Sequence, residues 1–169
     1  MPRTIPYTLP AQSVVIDFDW ASFFDPGEPK QEVERGAAYI CAPELFVSQY
    51  SPQADPIKSD AWAIGASIFY FIYGRKAYGA DYDANGQESP WTPERYFVFM
   101  AEVRKYNKFP FPSVPIPFAK SLDKWGVNQM IGIMKKFMTV SPDARPSPGQ
   151  IVEEYGLLRE LPQSHALVK

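Results

Sequence analysis

Cysteine and histidine are nearly missing from this chain, with one of each in 169 residues. Cys41 alone excludes an internal disulfide. His165 with a single cysteine leaves neither a zinc-type ligand set nor a Ser/His/Asp or Cys/His nucleophilic pairing. An excess of either charge is also missing: 17 Lys and Arg against 19 Asp and Glu give a net charge of −2. No basic stripe runs along the chain, so no nucleic-acid partner and no anionic membrane surface is expected. The longest apolar run, "AWAIGASIFYFIY" (Ala61 to Tyr73), is too short to span a bilayer. "MPRTIPYTLP" at the front has no apolar h-region of the secretory kind. The expectation is therefore a cytoplasmic protein. No Gly-rich phosphate loop, internal repeat or low-complexity tract occurs.

What the chain does have is aromatic and prolyl. Aromatic residues make up 15% of it and there are 18 prolines, a mixture that favours short helices separated by irregular connections. Its length suits one domain with a sizeable core. Residues 1–12 read as an irregular N-terminal segment, 13–158 as the domain and 159–169 as a C-terminal tail. "SVVID" (Ser13 to Asp17) is β-branched and apolar, the pattern of a short buried strand. Trp20 to Tyr39, with the turn residues Asp25-Pro26-Gly27, reads as a long loop.

Helical patterns follow. "SDAWAIGASIFYFIYGR" starts on a Ser59/Asp60 cap signal and stops at Gly74. Trp62, Ile64, Ile68, Phe69, Phe71 and Ile72 point in nearly every direction around it, which places this helix in the middle of a domain. "TPERYFVFMAEVRKY" opens with Thr92 as N-cap and Pro93 at the first helical position; Tyr96, Phe99, Met100 and Val103 form its stripe. "FPFPSVPIPF" (Phe109 to Phe118) is an extended, proline-rich connection. Met130, Ile133, Met134, Phe137 and Met138 share one face of the next helix, with Lys135 and Lys136 away from it. In "SPGQIVEEY", Ser147 caps and Gln150 completes a capping box, while Glu153 and Glu154 are solvated helix charges. The fold class read from this is mainly α, with helices around a central apolar helix and short β-strands at the N-terminal end.

Four short words remain as candidate chemistry: Asp17-Phe18-Asp19 after the strand, Ala42-Pro43-Glu44 after the loop, "DAWAIG" (Asp60 to Gly65) at the central helix, and "PDARPS" (Pro142 to Ser147) between the last two helices. Singly, each has an ordinary reading. Asp17 can end a strand, Pro43 with Glu44 can open a helix, Asp60 can be a cap and Arg145 an exposed turn residue. In this order, and with helices between them, they resemble the C-terminal lobe of a eukaryotic-type protein kinase of the Ser/Thr class, from about Val14 to about Tyr155. Asp17-Phe18-Asp19 is similar to Asp-Phe-Gly, Ala42-Pro43-Glu44 matches Ala-Pro-Glu, "DAWAIG" fits D-x-W-x-x-G, and "PDARPS" fits P-x-x-R-x-[ST]. "YGRKAYG" (Tyr73 to Gly79) resembles the Gly-rich turn that ends the family's central helix.

The resemblance implies a set of roles. Asp17 stands where the family holds Mg²⁺ against the phosphates of ATP, and Asp19 adds a second carboxylate whose charge either helps bind the cation or repels the nucleotide. Asp17 and Glu44 mark the two ends of an activation segment. Glu44 and Arg145 are expected to form an ion pair, and Asp60, Trp62 and Gly65 to be structural residues of the kinase fold. The departures matter as much. Asp19 stands in place of the Gly of Asp-Phe-Gly, Ala37 stands where Ser/Thr kinases usually carry a Thr, and Tyr39 is one position early. Between Asp17 and Glu44 the only hydroxyls are Ser22 and Tyr39, which disfavours switching by phosphorylation. The sixteen residues before Asp17 contain no Asp, Asn or Gly and one basic residue, Arg3. They cannot supply the Gly-rich lid, the ATP lysine or the catalytic Asp that phosphoryl transfer needs.

Three readings of function stay open. One is a partial protein kinase domain, inactive alone, whose other lobe lies elsewhere. Another is a pseudokinase-like, non-catalytic module whose central-helix apolar face is covered by a protein partner or by the missing lobe. The third is a helical domain of unrelated ancestry, which Glu44 and Arg145 lying far apart would favour.

Overall fold

The computed structural model describes residue 27 and residues 31–32, 37–46, 53–111 and 124–156. The expected strand at 13–17, both front acids Asp17 and Asp19, residues 112–118 of the proline-rich connection and the two domain boundaries lie outside the described residues.

The longest helix, α1 (Pro56–Tyr73), begins one turn before the Ser59/Asp60 signal. Its N-cap is Asp55, whose carboxylate accepts from the backbone N–H of Lys58 at 3.2 Å, and Pro56 takes the first helical position. An Asp-Pro pair is the stronger start, because the proline gives up only an N–H that would have no helical partner. Gly74 at φ 65° ends the helix with its N–H on the carbonyl of Tyr70. Helix α2 (Pro93–Tyr106) starts on Thr92 and closes on Asn107 at φ 46°. Helix α3 (Lys124–Phe137) follows, then α4 (Pro148–Tyr155) with the reciprocal capping box of Ser147 and Gln150.

Strands are minor. β1 (Gln31–Glu32) pairs antiparallel with β2 (Gln53–Ala54), so the segment read as a loop carries one short strand. β3 (Ala80–Tyr82) and β4 (Glu88–Pro90) form a hairpin in register Ala80 to Pro90 and Tyr82 to Glu88. Its turn is held by Asp83, whose Oδ1 accepts from the N–H groups of Asn85 and Gln87, both at 2.8 Å. Lys76–Glu88 and Arg95–Asp81, each at 2.5 Å, tie the hairpin to its flanks at the surface.

Helix α1 runs through the core and packs against α3. Trp62, Phe69 and Ile72 enter a cluster with Tyr78, Met100, Phe109, Met134 and Met138, while Ala61 joins Ile133, Phe137 and Ile151 on the other side. Gly65 sits at the closest approach. A Cβ there would lie 2.8 Å from Met138 Cγ and 2.9 Å from Phe137 Cβ, with the Met134 carbonyl at 3.3 Å. Gly65→Ala is expected to lose about 1–3 kcal/mol through overpacking, although alanine is the better helix former. Urea unfolding decides between these opposed effects, and a variant as stable as the parent would show that parting α1 from α3 costs no more than alanine's helix propensity returns. One face of α1 departs from the reading of a helix buried all round: Ile64, Tyr70 and Phe71 are exposed at 40%, 56% and 60%.

Candidate functional site

Ala42-Pro43-Glu44 lies at the start of a short 3-10 helix, Pro43–Phe46, with Ala42, Pro43 and Leu45 buried. Arg145 comes from the turn before α4, where its own N–H bonds the carbonyls of Ser141 and Pro142. The fold brings these two side chains together across 101 residues of chain. Arg145 Nη1 donates to Glu44 Oε1 at 2.7 Å and Nη2 donates to Glu44 Oε2 at 3.0 Å, a two-pronged carboxylate–guanidinium pair.

The rest of the guanidinium is used as completely. Nε donates to the Thr139 carbonyl at 2.9 Å, Nη1 also to the Lys58 carbonyl at 2.5 Å, and Nη2 also to the Val140 carbonyl at 3.2 Å. All five N–H donors of an arginine are thereby matched. The side chain is fully buried, and Glu44 is 15% exposed. Burying an ion pair is costly unless its remaining hydrogen-bond capacity is met, and here it is met by backbone carbonyls already committed to the fold. Lys58 returns a bond from Nζ to the Arg145 carbonyl, and Ser59 Oγ reaches both Glu44 Oε1 and the Asp55 carbonyl. The guanidinium carbon also lies 5.1 Å from the ring centre of Trp62, over its face.

Trp62 is the second junction. It is completely buried, and its indole N–H donates to the Tyr78 hydroxyl at 3.0 Å. That hydroxyl donates in turn to the Cys41 carbonyl at 2.7 Å. The relay ties α1 to the residues just ahead of Ala42-Pro43-Glu44. Burial pushes the Tyr78 phenol well above the usual tyrosine value of 10.0. The folded state therefore holds this proton more tightly than the unfolded chain. The stabilisation is fully present below pH 10 and is lost as pH rises from there toward the folded-state value. A melting-temperature series from pH 8 to about pH 11 should fall at its alkaline end, and fall less steeply in Tyr78→Phe. Parallel curves would show that Tyr78 does not carry the effect.

Asp60 stands apart from this junction. Within α1 it is exposed, at the edge of an open groove of about 680 Å³ walled by Ala63, Ile64, Ile68, Phe71 and Met130. Its side chain is half withdrawn from water, and that desolvation raises its carboxyl above 3.8. It is no cap, since Asp55 takes that part. Gly65 serves packing, as described above.

The structure thus gathers Glu44, Arg145 and Trp62 at one point, leaves Asp60 on the groove side, and does not describe Asp17 or Asp19. Sequence reasoning passed over Lys58, took Ser59 only as a cap signal, and took Tyr78 only as part of the turn after the central helix. Their only signal was position: two lie in the first turn of α1, and Tyr78 lies in the Gly-flanked turn after it. Among the described residues no group of three or more His, Cys, Asp or Glu is placed to hold a metal ion, and no helix is long and apolar enough to cross a membrane.

No family model matches the chain. Calcium-dependent protein kinase 17 of Arabidopsis thaliana is 27% identical over 160 residues, covering 90% of this chain and 25% of that protein. Calcium-dependent protein kinase 26 of Oryza sativa subsp. japonica is 28% identical over 120 residues, 71% of this chain and 18% of that protein. Calcium-dependent protein kinase 21 of the same plant is 35% identical over 69 residues, 41% of this chain and 11% of that protein. The chain thus spans a quarter or less of the curated relatives it matches. Its distant homologues are protein kinases, which supports a kinase-like region, and its mainly helical architecture is that of a kinase C-lobe-like fold.

Proposed function

We propose that residues 13–158 are the C-terminal lobe of a Ser/Thr-type protein-kinase-like domain, and that this chain by itself does not transfer phosphate. The observation that carries the reading is the two-pronged Glu44–Arg145 pair stacked on Trp62. Three of the four sequence words meet there, as the kinase resemblance requires. In this reading Glu44 closes the activation segment that Asp17 opens, and Arg145, Trp62 and Gly65 hold that end of it to the helical body. Asp60 is the residue whose partner in an intact kinase would come from a catalytic loop.

ATP and Mg²⁺ are the cofactors of protein kinases at large. Asp17 and Asp19 are the carboxylates that would hold the metal here, and carboxylate oxygen is the donor a hard cation takes. The chain offers no Gly-rich lid, ATP lysine or catalytic Asp to go with them. Incubation with radiolabelled ATP, Mg²⁺ and a generic protein substrate is expected to give no transfer above the blank. Transfer that Asp17→Asn abolishes would overturn the inactivity.

A second reading is favoured by one feature, the open groove on α1 with Ile64 and Phe71 exposed. It makes the chain a binding module in which a protein partner or another kinase lobe covers that face. A compact monomer by light scattering, binding no hydrophobic dye, would remove its basis.

A further inference from the structure

The open groove on α1 runs along Asp60, Ile64, Ser67 and Phe71, with Ile68 and Met130 beside them. From Asp60 to Phe71 is about 16 Å of helix. The Asp60 carboxylate has no hydrogen bond or ion pair among the described residues. An exposed apolar face that ends on an unpaired acid suits an occupant that is itself apolar and carries a cation.

The described chain leaves the fold next to this groove. Tyr155 and Ile68 both pack against the cluster of Ala61, Ile133, Phe137 and Ile151. The Tyr155 hydroxyl also stands 3.2 Å from where a Cβ on Gly132 would lie, two positions along α3 from Met130. Gly156, at φ 63°, turns the chain out of α4 at this place. Residues 157–169 lie outside the described residues, and their sequence opens Leu157-Leu158-Arg159-Glu160-Leu161-Pro162. In an extended run, alternation puts Leu157, Arg159 and Leu161 on one side and Glu160 on the other. Pro162 favours the extended state at Leu161. Five extended residues cover about 16 Å, the length of the groove.

We propose that residues 157–161 lie along the α1 groove, with Leu157 and Leu161 against Ile64, Ile68 and Phe71 and with Arg159 reaching Asp60. This occupant comes from the chain itself and is independent of the kinase reading. The tether favours it over a second copy or a separate protein, because a short linker gives an effective concentration of about millimolar, above what a free partner reaches in dilute solution. The ion pair is open to water and therefore weak, so the leucines supply the hold and Arg159 fixes the placement.

The full chain carrying Gln163→Cys is labelled with a nitroxide, Cys41 being buried. The methyl signals of Ile64, Ile68 and Met130 are compared with the label oxidised and reduced. A greater loss of intensity at these three than at Met100, in the other cluster, is expected. Leu161→Asp should restore most of it. Asp60→Lys should restore part, and Asp60→Lys combined with Arg159→Asp should take that part away again. No loss, equal loss at all four methyls, or indifference to Leu161→Asp or to the charge exchange would overturn the proposal. Loss in isotope-labelled chains mixed with nitroxide-carrying unlabelled ones would overturn it too, by giving the groove to a second copy. So would a parent chain that binds hydrophobic dye in the groove, which leaves it open to a separate protein.

Discussion

Arg145→Met is expected to lower the free energy of unfolding by about 3–5 kcal/mol. The substitution keeps length and apolar stem, so the loss isolates the guanidinium. Removing it leaves the Glu44 carboxylate largely buried without its cation, and leaves the carbonyls of Thr139, Val140 and Lys58 without their donor. Each such group must find water or move toward it. Since a domain of this size has about 5–15 kcal/mol in total, a loss of that size removes a large share of its stability. Arg145→Lys should recover little, because an ammonium has three donors and no planar fork where five are in use. The informative comparison is Glu44→Gln/Arg145→Met against the two single variants in urea. A double variant less damaged than the sum of the singles is expected, because two partners removed together strand no charge. Strict additivity would mean the two residues act independently, and the junction would lose its meaning as a pair.

Trp62→Ala is expected to cost about 3–5 kcal/mol as well, by a different mechanism. The side chain is completely buried, and its removal opens a cavity among Tyr78, Phe109 and the Arg145 guanidinium. It also takes away the indole N–H that the Tyr78 hydroxyl accepts. Trp62→Phe separates these contributions. It keeps most of the aromatic packing, and Tyr78 still donates to the Cys41 carbonyl, so a loss of about 1–2 kcal/mol is expected, the value of one buried hydrogen bond with a small void. Thermal or urea unfolding monitored by circular dichroism reads both, and equal losses in the two variants would assign the whole effect to the N–H. Trp62 and Arg145 touch, so their losses should couple rather than add.

How far these residues could be read in advance depended on the kind of interaction. The stripes of α2 and α3 and the caps of α2 and α4 were legible because periodicity and capping are local: Thr92 with Pro93, and Ser147 with Gln150, declare themselves within four positions. The start of α1 was misplaced at Ser59/Asp60 because two cap-like signals lie one turn apart, and only the fold shows Ser59 turned to Glu44 and Asp55. The β3–β4 hairpin went unread although Asn85-Gly86 marks its turn, because three-residue strands have too few positions to show alternation. Glu44 with Arg145 came from the order of the words, not from spacing, since nothing local joins residues so distant. The role of Tyr78 was invisible for a related reason. An aromatic in a turn reads as core, and that its hydroxyl bridges an indole and a backbone carbonyl is settled only by three-dimensional placement.

The distance along the chain between Glu44 and Arg145 has a kinetic consequence. A contact closing a loop of 101 residues is expected to form after helices near in sequence have collapsed, because the chain entropy of so wide a closure opposes it until other contacts are made. Such a late clasp contributes little to the folding barrier and much to the unfolding one. The buried guanidinium is therefore expected to act as a latch on the time axis, so that Arg145→Met speeds unfolding more than it slows folding.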